Sequence, residues 1–193
     1  MELNNRSVDI KNITFDQTVD AKGLACPLPI VRTKKAMSEL EQGKVLEVQA
    51  TDRGSTADVK AWATSSGHFY LGTIEDKEVL FHYIRKASGE EALEKKHPHV
   101  VSNEQLQAKL NNDDEVILVD VRETAEYVFH HIPRSQSIPL GEMDKHLDKL
   151  RREKPIYVIC RTGNRSDLAA LALTEAGFKQ VFNVLPGMNE WNI

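Results

Sequence analysis

Ile156-Tyr157-Val158-Ile159-Cys160-Arg161-Thr162-Gly163-Asn164-Arg165-Ser166 is the stretch from which the fold of the chain's second half is read. Its unbroken apolar start predicts a strand buried on both faces, as in a parallel sheet. The segment 165–176 has a helical pattern and is followed by Gly177, a residue suited to ending a helix. Cys160 therefore falls in a strand-to-helix loop. Open α/β sheets build their sites at the carboxyl ends of their strands.

Outward from this loop, strands and helices alternate. Ser102 is placed to cap a helix running to Leu110. Residues 115–119 form a second buried strand. Thr124–Phe129 is a short helix, 137–140 a short strand, 143–150 a helix and 181–184 a final strand. The expectation for residues 99–193 is an α/β open parallel sheet with helices on both faces. Residues 88–98, charged and holding Pro98, are expected to be a linker. Residues 12–87 read as a β-α-β-α-β-β unit, an α+β two-layer sandwich. Its strands are 14–19, Val45–Ala50, 69–74 and 79–84, and its helices are 27–40 and 55–66. Ser55 or Thr56 is the expected cap of the second helix, with Asp58 at its positive end. Residues 1–11 are left as an N-terminal arm.

Composition narrows the function. The net charge of −4 leaves no general nucleic-acid footprint, so no direct nucleic-acid partner is expected. No apolar run approaches the roughly 20 residues of a membrane span, and no membrane partner is expected. The start, Met1-Glu2-Leu3-Asn4-Asn5-Arg6, lacks the regions of a secretory signal. The expected location is the cytoplasm, where thiols stay reduced. The two cysteines, Cys26 and Cys160, thus read as chemistry rather than as a staple. No phosphate-binding or dinucleotide glycine pattern is present, and no cofactor is expected. His97-Pro98-His99 is a weak metal candidate.

A thiolate is the nucleophilic form of cysteine, and positive surroundings favour it. Arg161 and Arg165 bring charge to the Cys160 loop. Its backbone N–H groups can converge as an anion nest, and the following helix adds its dipole. Gly163 and Asn164 both tolerate the positive φ of a tight curl. Residues Arg161, Thr162, Gly163, Asn164, Arg165 and Ser166 form the expected anion-binding loop. Four residues separate Cys160 from Arg165, one fewer than in cysteine-type phosphatases, so the ring suits a terminal sulfur better than a phosphate. A phosphatase remains an alternative, as does a redox sensor that locks Cys26 to Cys160.

Leu118-Val119-Asp120-Val121-Arg122-Glu123, His131-Ile132-Pro133, Ser137-Ile138-Pro139-Leu140, the Cys160–Arg165 loop, Gly187 and Trp191 together resemble the rhodanese family of sulfurtransferases. The resemblance implies that Cys160 takes sulfane sulfur from a donor, as a persulfide, and passes it to an acceptor thiol. Asp120, Arg122 and Glu126 are expected to hold the fold. His130 and His131 are expected at the surface or in packing.

Cys26 lies in Gly23-Leu24-Ala25-Cys26-Pro27-Leu28-Pro29. Proline suits the first position of a helix, which places Cys26 at the N-cap, with Pro27 and Pro29 supporting the turn. There the dipole would stabilise its thiolate, with Lys22, Arg32, Lys34 and Lys35 nearby in sequence. A metal reading lacks ligands, since no histidine precedes His68. Cys26-Pro27-Leu28-Pro29, after Asp20 and Gly23, with Gly43, Trp62 and Gly67-His68, resembles the TusA-like (SirA-like) sulfur-carrier family. That resemblance implies that Cys26 carries persulfide sulfur between proteins. The chain as a whole resembles a TusA-like domain fused to a rhodanese-like one. Its expected partners are a sulfane sulfur donor, thiosulfate or a low-molecular-weight persulfide, and an acceptor thiol or sulfur-accepting protein. An interaction module that serves a separate biosynthetic enzyme is the competing expectation.

Overall fold

The computed structural model describes residues 13–89, 95–112 and 115–191. The expected arm, 1–11, and positions 90–94 of the expected linker lie outside the described residues. The chain divides into two compact units, Met1–Ser88 and Gly89–Ile193. No described helix is long and apolar enough to cross a membrane.

The first unit runs β1 (Gln17–Ala21), α1 (Leu28–Glu39), β2 (Val45–Ala50), α2 (Ser55–Ser65), β3 (Phe69–Asp76) and β4 (Val79–Arg85). Its sheet has the order β1-β2-β4-β3, with β1 and β2 parallel and the other pairs antiparallel. Period-two alternation explains the layering. Leu46 and Val48 point at the helices, where they pack with Val19, Met37, Val59, Ala63 and Ile84. Glu47 points the other way, is buried, and accepts hydrogen bonds from Tyr83 Oη and Gln49 Nε2, each 2.8 Å long.

One expectation fails at α2. Its N-cap is Gly54, and no side chain caps it. Ser55 is the first helical residue, and its hydroxyl lies 2.9 Å from Nε2 of the fully buried His82. His82 Nδ1 meets Thr73 Oγ1 at 2.6 Å. Satisfying a buried imidazole outweighs capping an exposed helix end. Between β3 and β4 the turn falls at Lys77, which has a φ of +57°, and Asp76 belongs to the strand.

The second unit runs β5 (Val100–Ser102), α3 (Asn103–Asn111), β6 (Ile117–Asp120), α4 (Thr124–Phe129), β7 (Gln136–Ser137), β8 (Ile156–Ile159), α5 (Asn164–Glu175) and β9 (Val181–Leu185). Its sheet is wholly parallel, in the order β5-β9-β8-β6-β7. Both faces of the central strands are covered. Ile117, Val119, Ile156 and Val158 pack with Ala170, Leu173 and Met143 on one side. Leu118, Tyr157 and Ile159 pack with Leu106, Met188 and Trp191 on the other. Ser102 caps α3 as expected, in a reciprocal box with Gln105. Edge strand β5 carried too short a signal to be foreseen. The helix expected over 143–150 is instead two tighter 3-10 segments, Leu140–Lys145 and Leu147–Lys149. Met143 and Leu150 are its buried anchors, too few to hold a continuous helix against the sheet.

The buried His82 makes the stability of the first unit pH-dependent. Burial lowers its pKa from 6.5 to about 4. The unfolded chain takes up a proton near its ordinary pKa, whereas the folded one does not until about pH 4. Stability is therefore full above pH 6.5 and falls as the pH drops from 6.5 towards 4. Urea unfolding of the first unit, followed by Trp62 fluorescence, should show a lower midpoint at pH 5 than at pH 7, and His82→Gln should flatten that dependence.

Candidate functional site

Strand β8 ends at Ile159, and the chain curls through Cys160 before α5 begins at Asn164. Cys160 is buried, 1% exposed, and its Sγ sits inside the curl. The Gly163 N–H donates to Sγ at 3.1 Å, and Ser166 Oγ lies 3.3 Å away. This Oγ is also 2.6 Å from Asn183 Oδ1. Its single proton serves one acceptor at a time, and the shorter contact is to Asn183. The remaining lone pair then faces the thiol and can accept its S–H.

The curl depends on two glycines. Gly163 has a φ of +91°, and a Cβ there would come within 1.9 Å of Leu185 Cδ2. Gly187, with a φ of +90°, passes so close that a Cβ would sit 2.5 Å from the Cys160 carbonyl oxygen. This approach lets Met188 N donate to the Cys160 carbonyl at 2.8 Å, and Asn189 N to the Arg161 carbonyl at 2.9 Å. Asn164 does not need the positive φ anticipated for it, because it is already the first residue of α5.

The structure brings all seven loop residues together, but it corrects the expected role of Arg165. Its guanidinium is buried and forms a two-pronged pair with Glu126, Nη1–Oε2 at 2.7 Å and Nη2–Oε1 at 2.9 Å. Burial opposes its charge, yet Glu126 outweighs burial, and Cys160 and Glu123 add to it, so the pKa stands above the ordinary arginine value. Arg165 acts as half of a buried ion pair that anchors α5 to α4, and Glu126 offsets its charge at the loop. Asp120 and Arg122 pair in the same way at 2.7 Å, with Arg122 Nη2 also reaching the His130 carbonyl at 2.6 Å. His131 stacks on Tyr127 at 4.1 Å and is a packing residue.

Two residues that sequence reasoning missed complete the loop. Asn183, on β9, is fully buried. Its Nδ2 donates to the Gly163 carbonyl at 3.0 Å and to Asp167 Oδ1 at 3.3 Å. Asp167, in the first turn of α5, also accepts from the backbone N–H groups of Lys96 and His97, at 2.8 and 2.9 Å. A buried asparagine within a strand was the signal available for the first. The acid directly after the loop was the signal for the other. His97 Nε2 donates to the Val181 carbonyl at 2.9 Å, and among the described residues no group of three His, Cys, Asp or Glu side chains is placed to hold a metal.

Cys26, in the first unit, is exposed and lies between β1 and α1. It is not the N-cap. Pro27 takes that position, Leu28 begins the helix, Pro29 follows at its second position, and the Cys26–Pro27 peptide is cis. The expected stabilisation of its thiolate is also corrected. Desolvation first, then a hydrogen bond to Asp58 and the charges of Asp58 and Asp52, push the Cys26 thiol above its ordinary pKa. Two of the nearby cations are engaged elsewhere. Lys22 pairs with Asp20 at 3.0 Å, and Arg32 Nη1 donates to the Asp20 carbonyl at 2.7 Å. Leu28 and Val31, one helical turn apart, are 51% and 58% exposed.

Comparison with known proteins agrees in both halves. Residues 17–86 match the family described as Sulfurtransferase TusA, and residues 102–193 the Rhodanese-like domain. The chain is 47% identical over 173 residues to "Putative sulfur carrier protein YrkF" of Bacillus subtilis (strain 168), covering 90% of this chain and 94% of that protein. It is 45% identical over 74 residues to "Sulfur carrier protein TusA" of Allochromatium vinosum, 38% of this chain and 96% of that one. The crystal structure of a rhodanese-like domain protein from Staphylococcus aureus aligns with a TM-score of 0.47 and 28% identity, over 49% of this chain and 91% of that one.

Gly163→Ala should destabilise the second unit by about 2 kcal/mol or more, from positive-φ strain plus overlap with Leu185. Urea unfolding followed by Trp191 fluorescence measures it. In a Cys160→Ser background, Cys26 should react with iodoacetamide at pH 7 more slowly than a free cysteine does. Asp58→Asn should quicken it, because the raised pKa leaves less thiolate and Asp58 contributes to the rise.

Proposed function

We propose that this chain, which belongs to the family of sulfur carriers joining a TusA domain to a rhodanese-like domain, loads sulfane sulfur on Cys160 and delivers it through Cys26. A sulfurtransferase role follows from the family.

The single observation that carries this reading is the Cys160 Sγ inside the curl at the start of α5, with the Gly163 N–H aimed at it from 3.1 Å. A backbone donor preset at the sulfur is placed to hold negative charge there during the transfer. The Cys160 thiolate attacks the outer sulfur of thiosulfate or of a persulfide. The new S–S bond forms at Sγ, the donor's S–S bond breaks, and sulfite or a thiolate leaves with the electron pair. The persulfide anion on Cys160 is then held by loop amides, with Arg161 on the loop and the dipole of α5 behind it.

Cys26 suits the later step. Its thiol is exposed, its raised pKa makes it a poor first nucleophile, and Leu28 and Val31 offer an apolar surface beside it. When its thiolate attacks the terminal sulfur of the Cys160 persulfide, the sulfur moves and Cys160 leaves as thiolate. A sulfur-accepting protein is the proposed final recipient. A Cys26–Cys160 disulfide sensor and a phosphatase receive no specific support from the geometry.

Intact-protein mass spectrometry after brief exposure to thiosulfate, and separately to a persulfide donor, tests the order. One added sulfur is expected on the parent and on Cys26→Ser, and none on Cys160→Ser. Equal loading of Cys26 in the Cys160→Ser chain would show parallel carriers and end the relay reading.

A further inference from the structure

With Arg165 committed to Glu126, the loop is short of the second positive charge that its sequence promised. We propose that Lys95 supplies it and sets a preference for anionic sulfur donors at Cys160. The proposal rests on the reading of Cys160 as the reacting thiol.

Three observations place Lys95 there. The backbone N–H groups of its two successors, Lys96 and His97, both donate to the Asp167 carboxylate, at 2.8 and 2.9 Å. The buried His97 ring is fixed in turn by Nε2 on the Val181 carbonyl at 2.9 Å. Residues 95–97, within the stretch expected as a linker, are strapped onto the first turn of the helix that begins at the reactive loop. The third observation is contact: Lys95 Cε lies 3.0 Å from the position a Cβ on Gly163 would occupy. The lysine stem therefore passes over the residue whose N–H donates to Cys160 Sγ. Its ammonium, one bond past Cε, is thereby within reach of the rim of the curl.

The chemistry makes this charge useful. Thiosulfate is a dianion, and the thiolate it meets is negative. Sulfite leaves as a dianion with the pair of electrons from the broken S–S bond, and the persulfide left on Cys160 keeps one negative charge. An ammonium at the rim attracts the donor and offsets part of the charge that gathers when thiolate and dianion meet. Lys95 is exposed, so its effect falls on donor capture more than on the transfer step and weakens with salt. Asp167 is the positioning residue. Its carboxylate holds the backbone of Lys96 and His97 and the Asn183 amide, which fixes where the Lys95 stem runs.

Alkylation separates this proposal from sulfur transfer itself. With Cys26→Ser as the parent, Cys160 displaces iodide from iodoacetate, an anion, or from iodoacetamide, which is neutral. Lys95→Ala should slow iodoacetate about three- to tenfold, leave iodoacetamide nearly unchanged, and be rescued by Lys95→Arg. The KM for thiosulfate should rise by a similar factor with little change in kcat, and the difference should fade in high salt. An unchanged ratio of the two alkylation rates in Lys95→Ala would overturn the proposal, and so would an equal loss with both reagents, which marks a purely structural role. If the alkylation preference is present but no donor loads sulfur, the reading of Cys160 as a sulfur carrier fails while Lys95 stands as an anion selector.

Discussion

The second unit turns on one buried amide. Asn183 lies in the middle of the sheet with every polar atom of its side chain committed. Its Nδ2 holds the Gly163 carbonyl and Asp167, and its Oδ1 takes Ser166. An unpaired amide in such a place costs about 1–3 kcal/mol. The loop must therefore keep the shape that pairs it. That shape aims the Gly163 N–H at Cys160 Sγ and orients Ser166 beside it. The same carboxylate that Asn183 contacts catches the strap through Lys96 and His97. A single side chain on β9 thus connects the curl, the first turn of α5 and the segment that brings in Lys95.

The two cysteines occupy opposite electrostatic settings, and the difference follows from what surrounds each helix start. Around Cys160 the loop presents a backbone donor and the start of α5, with the Arg165–Glu126 pair buried behind it. A buried pair of that kind is costly to break, about 3–5 kcal/mol if one partner is lost, because the other is stranded. It fixes where α5 begins, and with it the loop. The charges that act on Cys26 are carboxylates, Asp58 and Asp52, while Lys22 and Arg32 bind Asp20 instead. One thiol is set up to react inside a closed curl. The other is exposed, raised above its ordinary pKa, and bordered by Leu28 and Val31.

Much of this was legible in the chain. Val45–Ala50, Thr124–Phe129 and Ile156–Ile159 were read with their observed bounds, because alternation, short helical spacing and unbroken apolar runs are local signals. The Ser102–Gln105 box was legible for the same reason. The misread places share a cause. Ser55 gave up capping for a histidine 27 residues away, and Arg165 gave up the sulfur for Glu126, 39 residues away. In each case a buried partner distant in sequence outweighed the local preference.

The amino-acid sequence by itself determined the two-layer sandwich of the first unit and the sheet covered on both faces of the second, the strand-loop-helix placement of Cys160, and the loop setting of Cys26, since these depend on periodicity and on residues near in the chain. Only the tertiary structure decided where the charges go. Arg165 faces Glu126, Cys26 faces Asp58, and Lys95 crosses Gly163. Electrostatic energy depends on distance in space and on burial, neither of which spacing along a chain encodes.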